Sequence, residues 1–323
     1  MATQETQQLD SIISSRRAML AMGGVALAGL AFAPKAQAAA VNDYDILNFA
    51  LNLEYLEAQF YTYAAFGIPI SALPSAIPVA VNGGTAGTVT IKANPMVQFT
   101  NPLIQAYARE TAVEEGKHVL FLQQALSTHA VSMPNIDLMT SFNTLASAAG
   151  IGSSFDPFAS DANFLIGAYI FEDVGVTAYH GAAALISDKT NILPAAAGIL
   201  TVEAYHAGLI RSTILGLDAA NGNTTLQGLT AKISAKRSAL ANPLPSTTVD
   251  DVPVGTTTVA LNTAATNTGG TISASTVVNA DANSIAFART TTQVLAIVTG
   301  GPAPATGASM GVFFPAGLNG TIK

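Results

Sequence analysis

The pattern Glu-x-x-His occurs twice in this chain, as Glu115-Gly116-Lys117-His118 and as Glu203-Ala204-Tyr205-His206, and each copy lies inside a long apolar stretch. Residues three apart on a helix share a face about one turn from each other, so each copy can present a carboxylate and an imidazole to one point. Only four histidines exist in 323 residues, and two of them have a glutamate three positions before. Burying unpaired ionisable groups costs several kcal/mol each. Two such pairs on apolar faces therefore predict a cation that compensates them, or else a helix face turned to solvent.

Four long segments have helical periodicity with few internal breakers: about 43–66, 102–128, 161–186 and 192–217. Each is about twice the average globular helix of roughly 11–12 residues, as a long bundle requires. Asn42-Asp43 precedes the first and Gly67 and Pro69 follow it; Asn101-Pro102 precedes the second, Pro134 follows it, and Asp161 opens the third. A short turn joins the third and fourth, which predicts antiparallel neighbours. The stretch 133–160 is long enough for a crossover that leaves the second and third parallel, with one short helix expected near 137–148.

Residues 68–100 are rich in Gly and Pro, carry a strand-like segment at 88–93, and are expected to cover one end of the bundle. Beyond the bundle, 224–240 reads as a fifth helix with Lys232, Lys236 and Arg237 on its outer side. From Asn242 onward Thr, Ala, Gly, Asn and Pro dominate, yet large apolar residues recur. That mixture predicts a loop-rich extension packed on the bundle rather than a free tail.

The first and third helices each bring an acid onto their apolar stripe. The stripe Leu47, Leu51, Ala58, Tyr61 passes through Glu54, and Leu165, Ala168, Val176, Tyr179 passes through Glu172. Tyr61 lies seven residues after Glu54 and Tyr179 seven after Glu172, whereas Glu57 has Gly175 as its counterpart, which favours Glu54 over Glu57. Glu57, Glu110 and Glu114 are expected to be solvated or to touch ligands, with Glu114 a fallback ligand four residues before His118. Tyr61 and Tyr179 are read either as core packing, the commoner role of an inward Tyr, or as redox-active groups or partners of ligand side chains, and Asp173 as orienting a histidine.

There is no cysteine, so thiolate catalysis and thiolate metal sites are excluded and any metal is held by oxygen and imidazole nitrogen. A net charge of −7 with scattered Lys and Arg excludes phosphate-backbone binding, and nucleic acid is not expected as a partner. No nucleotide-binding loop or nucleophile elbow stands in a strand-to-helix context.

The first 38 residues read as a signal peptide. Ser15-Arg16-Arg17-Ala18-Met19-Leu20 leads into "AMGGVALAGLAFA" and then Ala36-Gln37-Ala38, a small-residue cleavage pattern. The paired arginines resemble a twin-arginine signal, which implies export of a folded protein to the periplasm or the exterior. Retention of the segment as an anchor is the alternative, although its apolar run is shorter than the roughly 20 residues that span a bilayer.

Four glutamates and two histidines from four helices resemble the arrangement of ferritin-like di-iron or di-manganese carboxylate proteins, over roughly 43–217. The segments "ILNFALNLEYLEAQFY", "EEGKHVLFLQQAL", "RTTTQVLAIVTGG" and "FFPAGLNG" are similar to the ferritin-like domain family that includes desiccation-related proteins. The resemblance implies an all-α core: a ferritin-like four-helix bundle over 39–220, with a long loop after its first helix and a crossover between its second and third. The fifth helix and the extension occupy 221–323. It also implies two Fe or Mn ions, with Glu54, Glu115 and His118 on one side, Glu172, Glu203 and His206 on the other, and Glu115 and Glu203 as bridges.

The expected function is reaction with dioxygen or peroxide, ferroxidase-like or catalase-like, in stress protection, with a small oxidant or a metal ion as substrate. The alternative is a non-catalytic structural or desiccation-protective envelope protein whose site is empty or braces the bundle. The export signal, the long loop and the extension depart from storage ferritins and argue against a 24-subunit cage; a homo-oligomer or envelope contacts remain compatible.

Overall fold

In the computed structural model the described residues are 41–242, 248–261, 270–301 and 310–323, so the expected signal segment 1–38 lies outside them. Helix α1 spans Asp43–Phe66 and opens with a reciprocal cap in which the Asn42 and Asp45 side chains each accept the other's backbone N–H. Helix α2, Pro102–Leu126, starts on Asn101, whose side chain accepts from Leu103 and Ile104, with proline at a position where a missing N–H costs nothing. Helix α3, Thr140–Ala148, sits in the crossover; α4, Asp161–Ala183, is capped by Ser160; α5 runs Ile192–Ala220. The fifth bundle-associated helix, α6, spans Thr225–Ala241, and α7 in the extension spans Thr291–Thr299.

Helices α1 and α2 form one antiparallel pair and α4 and α5 the other. Asn48 near the start of α1 clamps the segment after α2, donating to His129 O and accepting from Val131 N. Across the pairs, Tyr61 of α1 meets Glu172 of α4 while Tyr179 of α4 meets Glu54 of α1. That reciprocity makes α1 and α4 antiparallel, hence α2 and α4 parallel, as the long crossover requires. It also relates the two pairs by a pseudo-twofold axis through the bundle centre.

The aromatic core stitches the crossover and the extension to this frame. Phe142 of α3 packs on Phe60 and Phe171 at 5.9 Å, and Phe313 of the extension lies 5.0 Å from Phe171. Asn319 and Asn52 exchange two hydrogen bonds, at 2.8 and 2.9 Å, so the chain's end is held against the middle of α1.

Two expectations need correction. The segment 68–100 runs along the flank of α1 and α2 rather than over one end. Val97 N reaches Ala64 O at the end of α1, Gln123 holds Pro78 O, and the short strand β1, Val89–Thr90, pairs in parallel with β2, Ile136–Asp137. Its buried Ile70, Ile77 and Val97 need an apolar face, which a flank supplies better than frayed helix ends. Arg237 is not on the outer side of α6 but 3% exposed, because Asp173 and Asp251 meet it inside.

Candidate metal centre

The six residues singled out by spacing, Glu54, Glu115, His118, Glu172, Glu203 and His206, come together at the centre of the bundle, all buried. Their donor atoms form two groups. Glu54, Glu115, His118 and Glu203 make one, and Glu115, Glu172 and His206 the other, with the atoms of each group within 4.8 Å of one another. His118 Nδ1 lies 3.2 Å from Glu54 Oε2, 3.4 Å from Glu115 Oε2 and 3.5 Å from Glu203 Oε1. His206 Nδ1 lies 2.9 Å from Glu115 Oε1 and 3.5 Å from Glu172 Oε2. Glu115 thus turns one oxygen to each group.

This grouping corrects the expected division. Glu203 Oε1 lies 3.5 Å from His118 Nδ1 across the bundle and is grouped there rather than with His206, so of the two expected bridges only Glu115 belongs to both groups. The room for the Glu203 carboxylate comes from Gly175 of α4, where a Cβ would overlap Glu203 Oε2. The sequence marked Gly175 only as the missing counterpart of Glu57; its steric meaning emerges in three dimensions.

Each outer carboxylate is pinned at one oxygen. The Tyr61 hydroxyl donates to Glu172 Oε1 and the Tyr179 hydroxyl to Glu54 Oε1, which leaves Oε2 of each for the centre. Burial and the neighbouring carboxylates hold both phenols far above their ordinary pKa, so each stays a donor. His206 is oriented in turn: its Nε2 pairs with Glu114 Oε2 at 2.8 Å, directing the Nδ1 lone pair inward. Glu114, the fallback metal ligand four residues before His118, instead faces α5 and pairs with His206. Its pseudo-symmetric counterpart is Val202, four residues before His206, as Glu114 is before His118.

Asp173 does not orient a histidine. One residue past Glu172 on the helix it points about 100° away, where it accepts from Arg211 at 2.8 Å and Arg237 at 2.9 Å. Glu57 is buried rather than solvated, but it belongs to neither donor group. Burial and the four site carboxylates push its pKa well up, which keeps it neutral.

Among the described residues, ten buried side-chain polar atoms have no hydrogen-bond partner, and eight belong to the six site residues. The near approaches to the imidazoles meet ion-pair distances without hydrogen-bond geometry, so these lone pairs are aimed at common points rather than at each other. The protein's own charges do not balance: burial pushes Glu54 up to about 7 and raises Glu172 and Glu203 as well. Burial alone would lower both histidines, but the surrounding carboxylates outweigh it and raise them far above normal. Even two imidazoliums leave four carboxylates under-compensated, whereas two divalent cations with neutral histidines make the set neutral. An oxygen-rich donor set with two imidazoles and no thiolate suits Fe or Mn.

Residues 42–216 match the profile described as the ferritin-like domain. A desiccation-related protein of Craterostigma plantagineum is 32% identical over 272 residues, covering 82% of this chain and 80% of the relative. A ferritin-like catalase of Nesocodon mauritianus is 27% identical over 288 residues, covering 87% and 84% respectively. No solved structure matches the chain significantly.

Proposed function

The chain belongs to the ferritin-like domain family, and from that premise we propose that it is an exported di-metal protein that reacts with dioxygen or peroxide in stress protection. One observation carries the reading: eight of the ten unpartnered buried polar atoms among the described residues converge on two points within a single bundle. Ordinary cores pair such atoms, and leaving one unpaired costs about 1–3 kcal/mol or more. Glu54, Glu115, His118 and Glu203 would hold one Fe or Mn ion, and Glu115, Glu172 and His206 the other. Such a pair, when bound, supplies one-electron changes between +2 and +3 at each ion.

The chain's own residues set the conditions for that chemistry. Glu115 would take part in holding both ions, since its two oxygens face different histidines. Tyr61 and Tyr179 fix the outer carboxylates as hydrogen-bond donors that stay protonated. Burial of every donor keeps bulk water out, so charges placed there act at low effective dielectric. The likeness to a ferritin-like catalase supports peroxide as a substrate.

The twin-arginine-like leader supports export to the periplasm or the exterior. Contacts between copies are supported by α5, whose charged side chains all point inward while Tyr205 stands 73% exposed on an uncharged outer face. A second reading, a desiccation-protective structural protein in which the site only braces the bundle, is favoured by the 32% identity to a desiccation-related protein.

Elemental analysis of protein from its native compartment separates these readings. Two Fe or Mn per chain, falling to none in Glu115→Ala, together with peroxide breakdown or Fe(II) oxidation, is the expected result. Metal without turnover would establish the bracing role, and protein lacking metal in both forms would refute the di-metal reading.

A further inference from the structure

Tyr61 and Tyr179 do matching work on opposite halves of the centre, but their surroundings differ. Tyr61 is fully enclosed, with Phe60 and Phe164 against its ring at 5.1 and 5.8 Å. Tyr179 is 8% exposed and lines a cavity of about 390 Å³ between the start of α1, the end of α2 and the start of α5. Leu47, Leu122 and Ile199 form its buried walls, while Tyr44, Phe121 and Asn191 stand exposed at its mouth. Leu122 is one turn beyond His118, and Ile199 one turn before Glu203, so the cavity ends one turn short of the Glu54, Glu115, His118 and Glu203 group. Tyr179, which lines this cavity, bonds Glu54 through its hydroxyl and so links the cavity wall to the centre.

The cavity's chemistry selects what can pass. A volume of this size would hold on the order of ten waters at roughly 30 Å³ each, so space does not limit a diatomic gas or a peroxide. Its buried walls, Leu47, Leu122 and Ile199, offer a cation no ligand, and its one carboxylate, Asp188, lies at the rim. Asp188 at the rim has both oxygens engaged, by the amides of Thr190 and Asn191 and by the Asn191 side chain. A metal ion entering would shed hydration for apolar contacts, a cost that an uncharged molecule does not meet.

Building on the di-metal reading, we infer that this funnel is the entry for the uncharged oxidant, dioxygen or peroxide, onto the Glu54–His118 half of the centre over Tyr179, and that metal cations load by another path. The two halves are then unequal: one faces the oxidant, and on the other Tyr61 closes the matching position.

The test uses the full mature chain and two tryptophan plugs. Ala125→Trp fills the funnel mouth; Thr144→Trp fills a separate cavity, also about 390 Å³, near Asp137 and serves as control. Xenon-pressurised crystals of metal-free protein should show xenon beside Tyr179 in the wild type and in Thr144→Trp but not in Ala125→Trp. In the loaded protein, Ala125→Trp should lower kcat/KM for peroxide or dioxygen tenfold or more, while metal content and the initial rate of Fe(II) or Mn(II) uptake stay at wild-type values. Unchanged kcat/KM with xenon excluded overturns the inference, as does metal uptake slowed in step with oxidant consumption. A wild type without metal would bring down the di-metal reading first, and elemental analysis shows that before any kinetics.

Discussion

Two buried clusters of charge lie side by side on α4 and α5, and the molecule resolves them in opposite ways. Asp173, Asp250 and Asp251 meet Arg211, Arg237 and Arg289 in a closed lattice: Arg237 bonds Asp173 and Asp251 at 2.9 and 2.8 Å, and Arg289 bonds Asp250 and Asp251 at 3.1 and 3.0 Å. Three acids and three bases cancel, and one atom of the lattice, Arg237 Nε, is left without a partner. Glu172 is the residue before Asp173, yet it belongs to a set of four carboxylates and two histidines with eight unpartnered atoms. The lattice supplies its own counter-charges and joins the extension to the bundle. The other set lacks internal counter-charges and is open to cations or protons from outside.

The sharpest way to break this contrast is to unbalance the lattice. Asp251→Ala removes an acid shared by Arg237 and Arg289 and leaves two guanidiniums under-compensated in the interior. Removing one partner of a buried ion pair typically costs about 3–5 kcal/mol, so denaturant unfolding should show a loss of that order. The fraction that remains folded should still bind metal at wild-type stoichiometry, since none of the six site residues is touched. A metal loss equal to the stability loss would mean that the two clusters are one unit.

Acidity sharpens the contrast next, because the clusters respond to it differently. In metal-free protein Glu54 is raised to about 7 by burial, above its unfolded value of 4.5. As pH rises from about 4.5 to about 7 the unfolded chain gives up that proton while the folded chain keeps it, so stability falls; a displacement of this size is worth about 3 kcal/mol. The raised histidines act in the same sense: their contribution is complete below about 6.5 and is lost as pH climbs toward their folded values. Asp251 of the lattice is lowered by Arg237 and Arg289 against the upward push of burial, so its contribution stays intact through this window and is lost only in acid. Calorimetry of chelated protein should therefore give a Tm that drops between pH 5 and 8. Metal-loaded protein should lack that drop, because binding displaces the protons. Parallel curves would remove the case for cations at the centre.

Much of this was legible before any coordinates. The four bundle helices follow from periodicity to within a few residues at each end, and the six site residues are singled out by the repeated Glu-x-x-His, the acids on the other two apolar stripes and the family resemblance, because helical spacing maps directly onto faces. Long-range partnership was not legible. Asp173 reads as a partner for a ligand histidine and Arg237 as solvent-facing, and only the buried lattice that Asp251 of the returning extension completes explains why the two meet. Nothing local announces that Gly175 clears space for a carboxylate on another helix, or that Glu114 serves a histidine 92 positions away. Spacing within a helix fixes which way a side chain points, whereas the identity of what it meets depends on packing between helices.

Glu114 also gives the smallest and most discriminating prediction, because it breaks the pseudo-twofold symmetry. The related position before His206 is Val202, so His206 has a carboxylate partner on Nε2 that symmetry does not provide for His118. Loss of such a partner typically costs 10–100-fold in metal affinity, about 1.4–2.7 kcal/mol. Titrating metal-free Glu114→Ala with Mn(II) or Fe(II) should show one of two binding steps weakened by that factor, the step assigned to Glu115, Glu172 and His206, with the other unmoved. Val202→Ala, the symmetric control, should leave both steps at wild-type affinity. Equal weakening of both steps would mean that Glu115 couples the ions too tightly for the halves to be told apart. A single weakened step makes the two positions chemically distinct, because Glu114 supports the His206 half and Val202 cannot do the same for the His118 half.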